Sequence, residues 1–98
     1  MRYFYRREGR RVFTVAYSYD QETGHVQYGA AVFRRDRPNE TFVKSEHRHT
    51  ARGRFEKCPA SLTVEDVSHL SEVENAIREN IKVYGVRGDR VVFSGEHR

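Results

Sequence analysis

The sequence has a single cysteine, no tryptophan and no long apolar segment. Because Cys58 stands alone among 98 residues, an internal disulfide is excluded, and a reducing compartment such as the cytosol is expected. Charged residues interrupt every apolar run, so no stretch approaches the roughly 20 apolar residues of a membrane-spanning helix. Arg2, Arg6 and Arg7 argue against a signal peptide at the N-terminus. The sequence therefore predicts a cytoplasmic protein without a membrane partner.

Motifs that mark catalytic or metal sites are also missing. The sequence contains no CxxC, no HxxxH, no P-loop and no GxGxxG, and no strand-to-helix elbow frames its serines. His47, His49 and Cys58 are neighbours in the chain, but they lack the paired spacing of four zinc ligands. Cys58, beside Pro59, is predicted to be a small buried residue and not a nucleophile. We therefore predict no enzymatic activity, no catalytic residue, no cofactor and no metal.

Positive charge is concentrated in the first part of the chain. The net charge is +4, but residues 1–57 carry thirteen Lys/Arg and seven Asp/Glu, a balance of +6, whereas residues 58–98 have a balance of −2. A basic face attracts nucleic acid or an acidic protein surface. The same imbalance is also consistent with an ordinary solvated surface.

The main helix is predicted over residues 69–84. Apolar side chains recur there at steps of three and four and form one stripe, composed of Leu70, Val73, Ile77, Ile81 and Tyr84. Ser68 or Ser71 is suited to cap its start, and Gly85 is suited to end it. A stripe of this width has to be covered by another apolar layer.

Three alternating segments predict an antiparallel meander that supplies this layer. They run over residues 2–7, 12–19 and 25–34, with Gly24 in the second turn and Gly29 at a point of close approach. Residues 61–65 fit either a short edge strand or an extended approach to the main helix, and residues 91–93 fit a final strand. We predict one α+β domain over residues 1–98, with a shorter basic helix over residues 45–55 at the sheet edge or on the same face as the main helix.

The shorter helix carries the densest basic run. Lys44, Arg48 and Arg52 recur every four residues and form one stripe, to whose positive potential Arg54 adds. Arginine binds carboxylates and phosphates with two parallel hydrogen bonds, which favours a contact surface. The alternative is a solvated face whose arginines pair with nearby acids.

The tyrosines of the strands divide into two groups. Tyr17 and Tyr28 lie two residues after Val15 and Val26, on the same strand faces as these valines. They are therefore predicted to pack at the rim of the core. Tyr3, Tyr5 and Tyr19 lie near strand ends and are predicted to make exposed contacts. They complete the candidate binding residues.

Residues 42–59 contain a spaced pattern composed of Phe42, Lys44, Arg48, Ala51, Gly53, Arg54, Phe55 and Pro59. This pattern resembles a segment of small accessory proteins from phages and other mobile elements. The resemblance implies an accessory or anti-defence role, of which anti-CRISPR proteins are one kind. We therefore expect an interaction protein that binds and blocks a host protein or ribonucleoprotein complex. The alternative is direct binding of DNA or RNA through the basic helix, residues 44–54, and the oligomeric state stays open.

Overall fold

A computed structural model describes residues 1–34, 41–65 and 67–84 of the chain. They form a four-stranded antiparallel sheet in the order β1-β2-β3-β4, together with two helices. The elements in chain order are β1 (Arg2–Glu8), β2 (Arg11–Tyr19), β3 (His25–Arg34), α1 (Lys44–Lys57), β4 (Ala60–Thr63) and α2 (Leu70–Tyr84). The predicted α+β class, the meander and both helices are confirmed.

Glycines with positive φ close both turns of the meander. Gly9 has φ 62° in the two-residue turn that joins the paired residues Glu8 and Arg11. Glycine at the first central position is typical of the type II′ turn, whose twist matches that of the flanking strands. Gly24 lies in the second turn, as predicted, and has φ 75°. In the same turn the carboxylate of Asp20 accepts a hydrogen bond from the Glu22 amide at 2.8 Å.

The two helices lie on opposite faces of the sheet. Val15 and Tyr17 of β2 belong to the apolar cluster beneath α2, whereas Ala16, between them in the chain, belongs to the cluster beneath α1. The prediction that the shorter helix lies at the edge or on the same face as the main helix is therefore wrong. The physical reason is that the small residues of β2 face a second layer, which keeps them as buried as the larger ones.

The α2 layer contains the larger apolar cluster. Val73 and Ile77 are fully buried and Ile81 is 5% exposed, as the predicted stripe requires. Leu70 is 38% exposed and does not belong to the stripe, because it occupies the first position of the helix. Ser71 lies inside α2 and does not cap it, since the His69 carbonyl already accepts a hydrogen bond from the Glu72 amide at 3.1 Å.

The α1 layer is built from small residues. Ala51 packs against Ala16 and Ala31, and a Cβ atom on Gly29 would lie 2.6 Å from the Ala51 carbonyl oxygen and 2.7 Å from the Phe55 Cα. The predicted close approach at Gly29 is therefore confirmed, and the group that approaches is the backbone of α1.

The remaining predictions concern the ends of elements. β4 pairs with β3 from His25 to Tyr28, so the edge-strand alternative for residues 61–65 is confirmed with a start at Ala60. The predicted final strand at residues 91–93 and the predicted cap at Gly85 lie outside the described residues. Within the described part of the chain, neither helix has the length and apolar character needed to cross a bilayer.

Candidate interaction surface

Tyr5 of β1 lies between two cations of α1. The Lys44 Nζ lies over its ring, 4.7 Å from the ring centre, and the Arg48 Nη1 donates a hydrogen bond of 2.9 Å to its hydroxyl oxygen. The contact between Arg48 and Tyr5 is partly buried. α1 lies close enough to the sheet for these contacts because of the small residues beneath it.

Arg52 continues the basic stripe one turn further along α1. Its Nε donates a hydrogen bond of 3.1 Å to the Glu56 carboxylate, and both side chains are 58% exposed. The pKa of Arg52 is raised chiefly by this hydrogen bond and the charge of Glu56, with a smaller contribution from the nearby Tyr3. The pairing with Glu56 agrees with the solvated-face alternative at this one position.

The predicted stripe and two of the predicted tyrosines therefore meet on one side of the sheet. We call this surface the α1 face, and it consists of Tyr3, Tyr5, Lys44, Arg48 and Arg52. It combines cations with hydroxyl groups, which suits the binding of carboxylates or phosphates.

Aromatic rings support one end of the α1 face, and the sequence patterns do not predict this group. Phe42 meets the Tyr5 ring edge-on at 6.3 Å between ring centres and the His47 ring at 4.9 Å. Phe33 of β3 completes the group, 5.5 Å from the rings of both Phe42 and His47. The available signal was the spacing of His47, four residues before Ala51, which places both side chains on the same side of a helix.

Two other predicted site residues lie elsewhere. Arg54 donates a partly buried hydrogen bond of 2.8 Å from Nη1 to the Ala30 carbonyl oxygen, two residues beyond the last pair between β3 and β4. It thereby attaches α1 to the part of β3 that lies beyond its pairing with β4. Tyr19 lies on the α2 side of the sheet, where its ring stacks near Tyr17 with 6.4 Å between centres. The structure does not bring Tyr19 together with the α1 face.

The α2 side also holds two buried tyrosine hydroxyls. Tyr17 donates a hydrogen bond of 2.7 Å to the Glu74 carboxylate, and burial together with this contact raises the pKa of Tyr17. Tyr28 accepts a hydrogen bond of 2.7 Å from the Asn80 side chain, and burial raises the pKa of Tyr28 as well. Both tyrosines are 1% exposed, so they belong to the core itself and not to its rim.

An open polar cavity of about 610 Å³ lies at the end of β2, beside Arg2, Tyr19 and Asp20. Within the described residues, no three His, Cys, Asp or Glu side chains are grouped closely enough to hold a metal ion. Cys58 is exposed at the end of α1, so the expectation that it is a small buried residue is wrong. Among the described residues, the α1 face is therefore the candidate site with the most contacts between predicted binding residues.

Comparison of the chain with family models, with curated proteins and with solved structures gave no match.

Proposed function

We propose that this is a non-enzymatic interaction protein that uses its α1 face to bind and block a host protein complex that handles nucleic acid. The observation that carries the proposal is the arrangement of Lys44 and Arg48 around Tyr5, at 4.7 Å and 2.9 Å. The resemblance of residues 42–59 to accessory proteins of mobile elements supports the same role.

The hydrogen bond to Tyr5 prepares Arg48 for binding. It holds the guanidinium in one position before a partner arrives. An arginine has five N–H donors, and among the described residues this bond to Tyr5 uses one of them. A side chain that is already ordered loses less conformational entropy when it binds. Tyrosine and arginine are also the residue types enriched among the few that carry most of the energy of protein interfaces.

The charge of the α1 face points to an acidic target. Enzymes that cut or copy nucleic acids bind divalent metal ions through clustered carboxylates. A surface that presents lysine and arginine side chains is complementary to such a cluster. A blocking protein of this kind would cover the acidic site and exclude the metal ion or the nucleic acid.

Direct binding of DNA or RNA is the second candidate. Lys44 and Arg52 are eight positions apart on α1, which corresponds to about 12 Å along a helix, and a phosphate backbone could follow that stripe. Single-stranded bases would need open aromatic faces for stacking. One face of Tyr5 is already covered by Lys44, and its hydroxyl is bonded to Arg48, which favours a protein partner.

A capture experiment separates the two candidates. The tagged protein is used to retrieve partners from a host-cell lysate, with and without nuclease treatment, and the purified protein is titrated with generic DNA and RNA at several salt concentrations. We expect a protein partner that survives nuclease and only weak binding to free nucleic acid. Loss of the partner with nuclease, together with a steep salt dependence on free nucleic acid, would favour direct binding instead.

A pair of matched substitutions then tests the role of the α1 face. Tyr5→Phe removes the hydroxyl that holds Arg48 but keeps the ring beneath Lys44, and Tyr19→Phe makes the same chemical change on the opposite side of the sheet. We expect Tyr5→Phe to weaken partner binding by about three- to tenfold. Tyr19→Phe should leave the dissociation constant unchanged, and equal effects of the two changes would contradict the proposal.

A further inference from the structure

The outer side of β1 is an edge of the sheet. β1 is the first strand in the order β1-β2-β3-β4, and among the described residues no strand pairs with its outer side. It is seven residues long and contains no proline. An edge of this length presents a row of backbone donors and acceptors that another strand can use.

Hydrogen-bond directions alternate along β1, and this alternation shows which residues present backbone donors and acceptors at the edge. The two-residue turn is flanked by Glu8 and Arg11, which form a hydrogen-bonded pair. Hydrogen-bonded and non-hydrogen-bonded pairs alternate along an antiparallel ladder, so the even-numbered residues of β1 bond to β2. Tyr3, Tyr5 and Arg7 therefore direct their backbone N–H and C=O groups outward. Carried across β2, the same alternation predicts that the even-numbered residues of β3 bond to β4. Gly24, just before β3, follows this pattern, since its carbonyl accepts a hydrogen bond of 2.8 Å from the Val64 amide, just after β4.

We propose that a second copy of this chain pairs with β1 in antiparallel orientation, with Tyr5 opposite Tyr5 on the two-fold axis. A two-fold axis perpendicular to the sheet places the α1 side of both copies on the same side of the joined sheet. The odd-numbered residues of β1 lie on that side, so each lies opposite an odd-numbered residue of the other copy. Only registers that differ by steps of two residues are therefore available, and the one centred on Tyr5 pairs all of β1 from Arg2 to Glu8.

Charge complementarity selects the register centred on Tyr5. In it, Arg2 of one copy lies opposite Glu8 of the other, and Tyr3 and Phe4 lie opposite arginines of the other copy, Arg7 and Arg6 respectively. Opposite charges and cation–aromatic contacts across strands are both stabilising. If one strand is shifted by two residues, the register is centred on Arg6 and places Arg6 opposite Arg6. A shift in the other direction centres the register on Phe4 and places Arg2 opposite Arg6. Like charges in such positions oppose pairing.

The dimer would join two four-stranded sheets into one and place both α1 helices on the same side. Tyr5 of each copy, with its Lys44 and Arg48, would then lie beside the axis. The two α1 faces would form one continuous surface, although the dimer itself does not depend on the proposed function.

Sedimentation of the full chain from low micromolar to millimolar concentration tests the dimer. Arg7→Pro removes an outward N–H, which an edge strand tolerates, and we expect it to raise the dimer dissociation constant at least about tenfold. Circular dichroism checks that this variant stays folded. A wild-type chain that is monomeric throughout this range overturns the proposal, as does a dimer that Arg7→Pro leaves unchanged.

A charge exchange tests the register without relying on proline. Arg2→Glu places two carboxylates opposite each other at both ends of the interface, and we expect it to weaken the dimer at least about threefold. Combining it with Glu8→Arg restores opposite charges and should restore the dimer. Glu8 also pairs with Arg6 at 3.2 Å and with Arg78 at 3.7 Å, so circular dichroism first checks that the double variant is folded. Equal weakening in the single and the double variant rules out the register centred on Tyr5.

Discussion

The two faces of the sheet are covered by helices of different character. Beneath α2, bulky side chains interlock, with Val73 and Ile77 fully buried against Val15 and Tyr17. Beneath α1, Ala51 is the one helix residue that is fully buried among those described, and it rests on alanine and glycine. Burial of apolar area is the main stabilising contribution to folding, so the two layers contribute unequally.

The difference suggests that the two helices have different roles. The backbone of α1 lies close to the sheet, which lets its long basic side chains reach the tyrosines of β1. We infer that α2 holds the fold together, whereas α1 presents a surface.

The largest effect on stability is expected from Ile77→Ala. The substitution leaves a cavity at a fully buried position of α2 and should lower the free energy of unfolding by about 2–5 kcal/mol. Phe55→Ala is the matched change on α1, where the ring is only partly buried, and its cost should be clearly smaller. Chemical denaturation measures both values. A larger loss for Phe55→Ala would reverse the assignment of the two layers.

The next effect is expected from Gly29→Val. Valine suits a strand, but its side chain would collide with the backbone of α1, so the helix has to move away. We expect a loss of about 1–3 kcal/mol in the free energy of unfolding. Chemical shifts should change on α1 and stay nearly constant on α2. Changes spread evenly over both helices would show that the layers are not independent.

The contrast between the layers also explains what could be predicted from the sequence. Periodicity identified the strands and α2 because bulky residues alternate there with polar or small ones. The position of α1 was missed since small residues such as Ala16 and Thr14 are compatible with either solvent or a close helix. The candidate stripe followed from spacing alone, but its contacts with Tyr5 depend on tertiary packing, which one sequence does not report.

Alkaline pH should lower the free energy of unfolding because two buried tyrosines on the α2 side of the sheet lose their protons. The pKa values of Tyr17 and Tyr28 are raised by burial, so the unfolded chain loses these protons at a lower pH than the folded protein. Their contribution is complete below about pH 10 and is lost as the pH rises through the folded pKa, at up to about 1.4 kcal/mol per pH unit for each tyrosine.

Denaturation series above pH 10 test this dependence on Tyr17→Phe and Tyr28→Phe. Each variant should show a shallower decline than the wild-type chain. A decline as steep as that of the wild type in both variants would contradict this dependence.

The most direct measurement of the division between the faces combines stability and binding in one variant. Arg48→Glu with Arg52→Glu reverses two charges of the α1 face, and its matched control, Glu72→Lys with Glu79→Lys, reverses two exposed charges of α2. We expect the α1 variant to lose about 1–3 kcal/mol in the free energy of unfolding, because it removes the partly buried hydrogen bond from Arg48 to Tyr5, while partner binding is abolished. The control should keep both properties. Wild-type affinity in a folded Arg48/Arg52 variant would contradict the account, because the basic stripe would then be only a solvated surface.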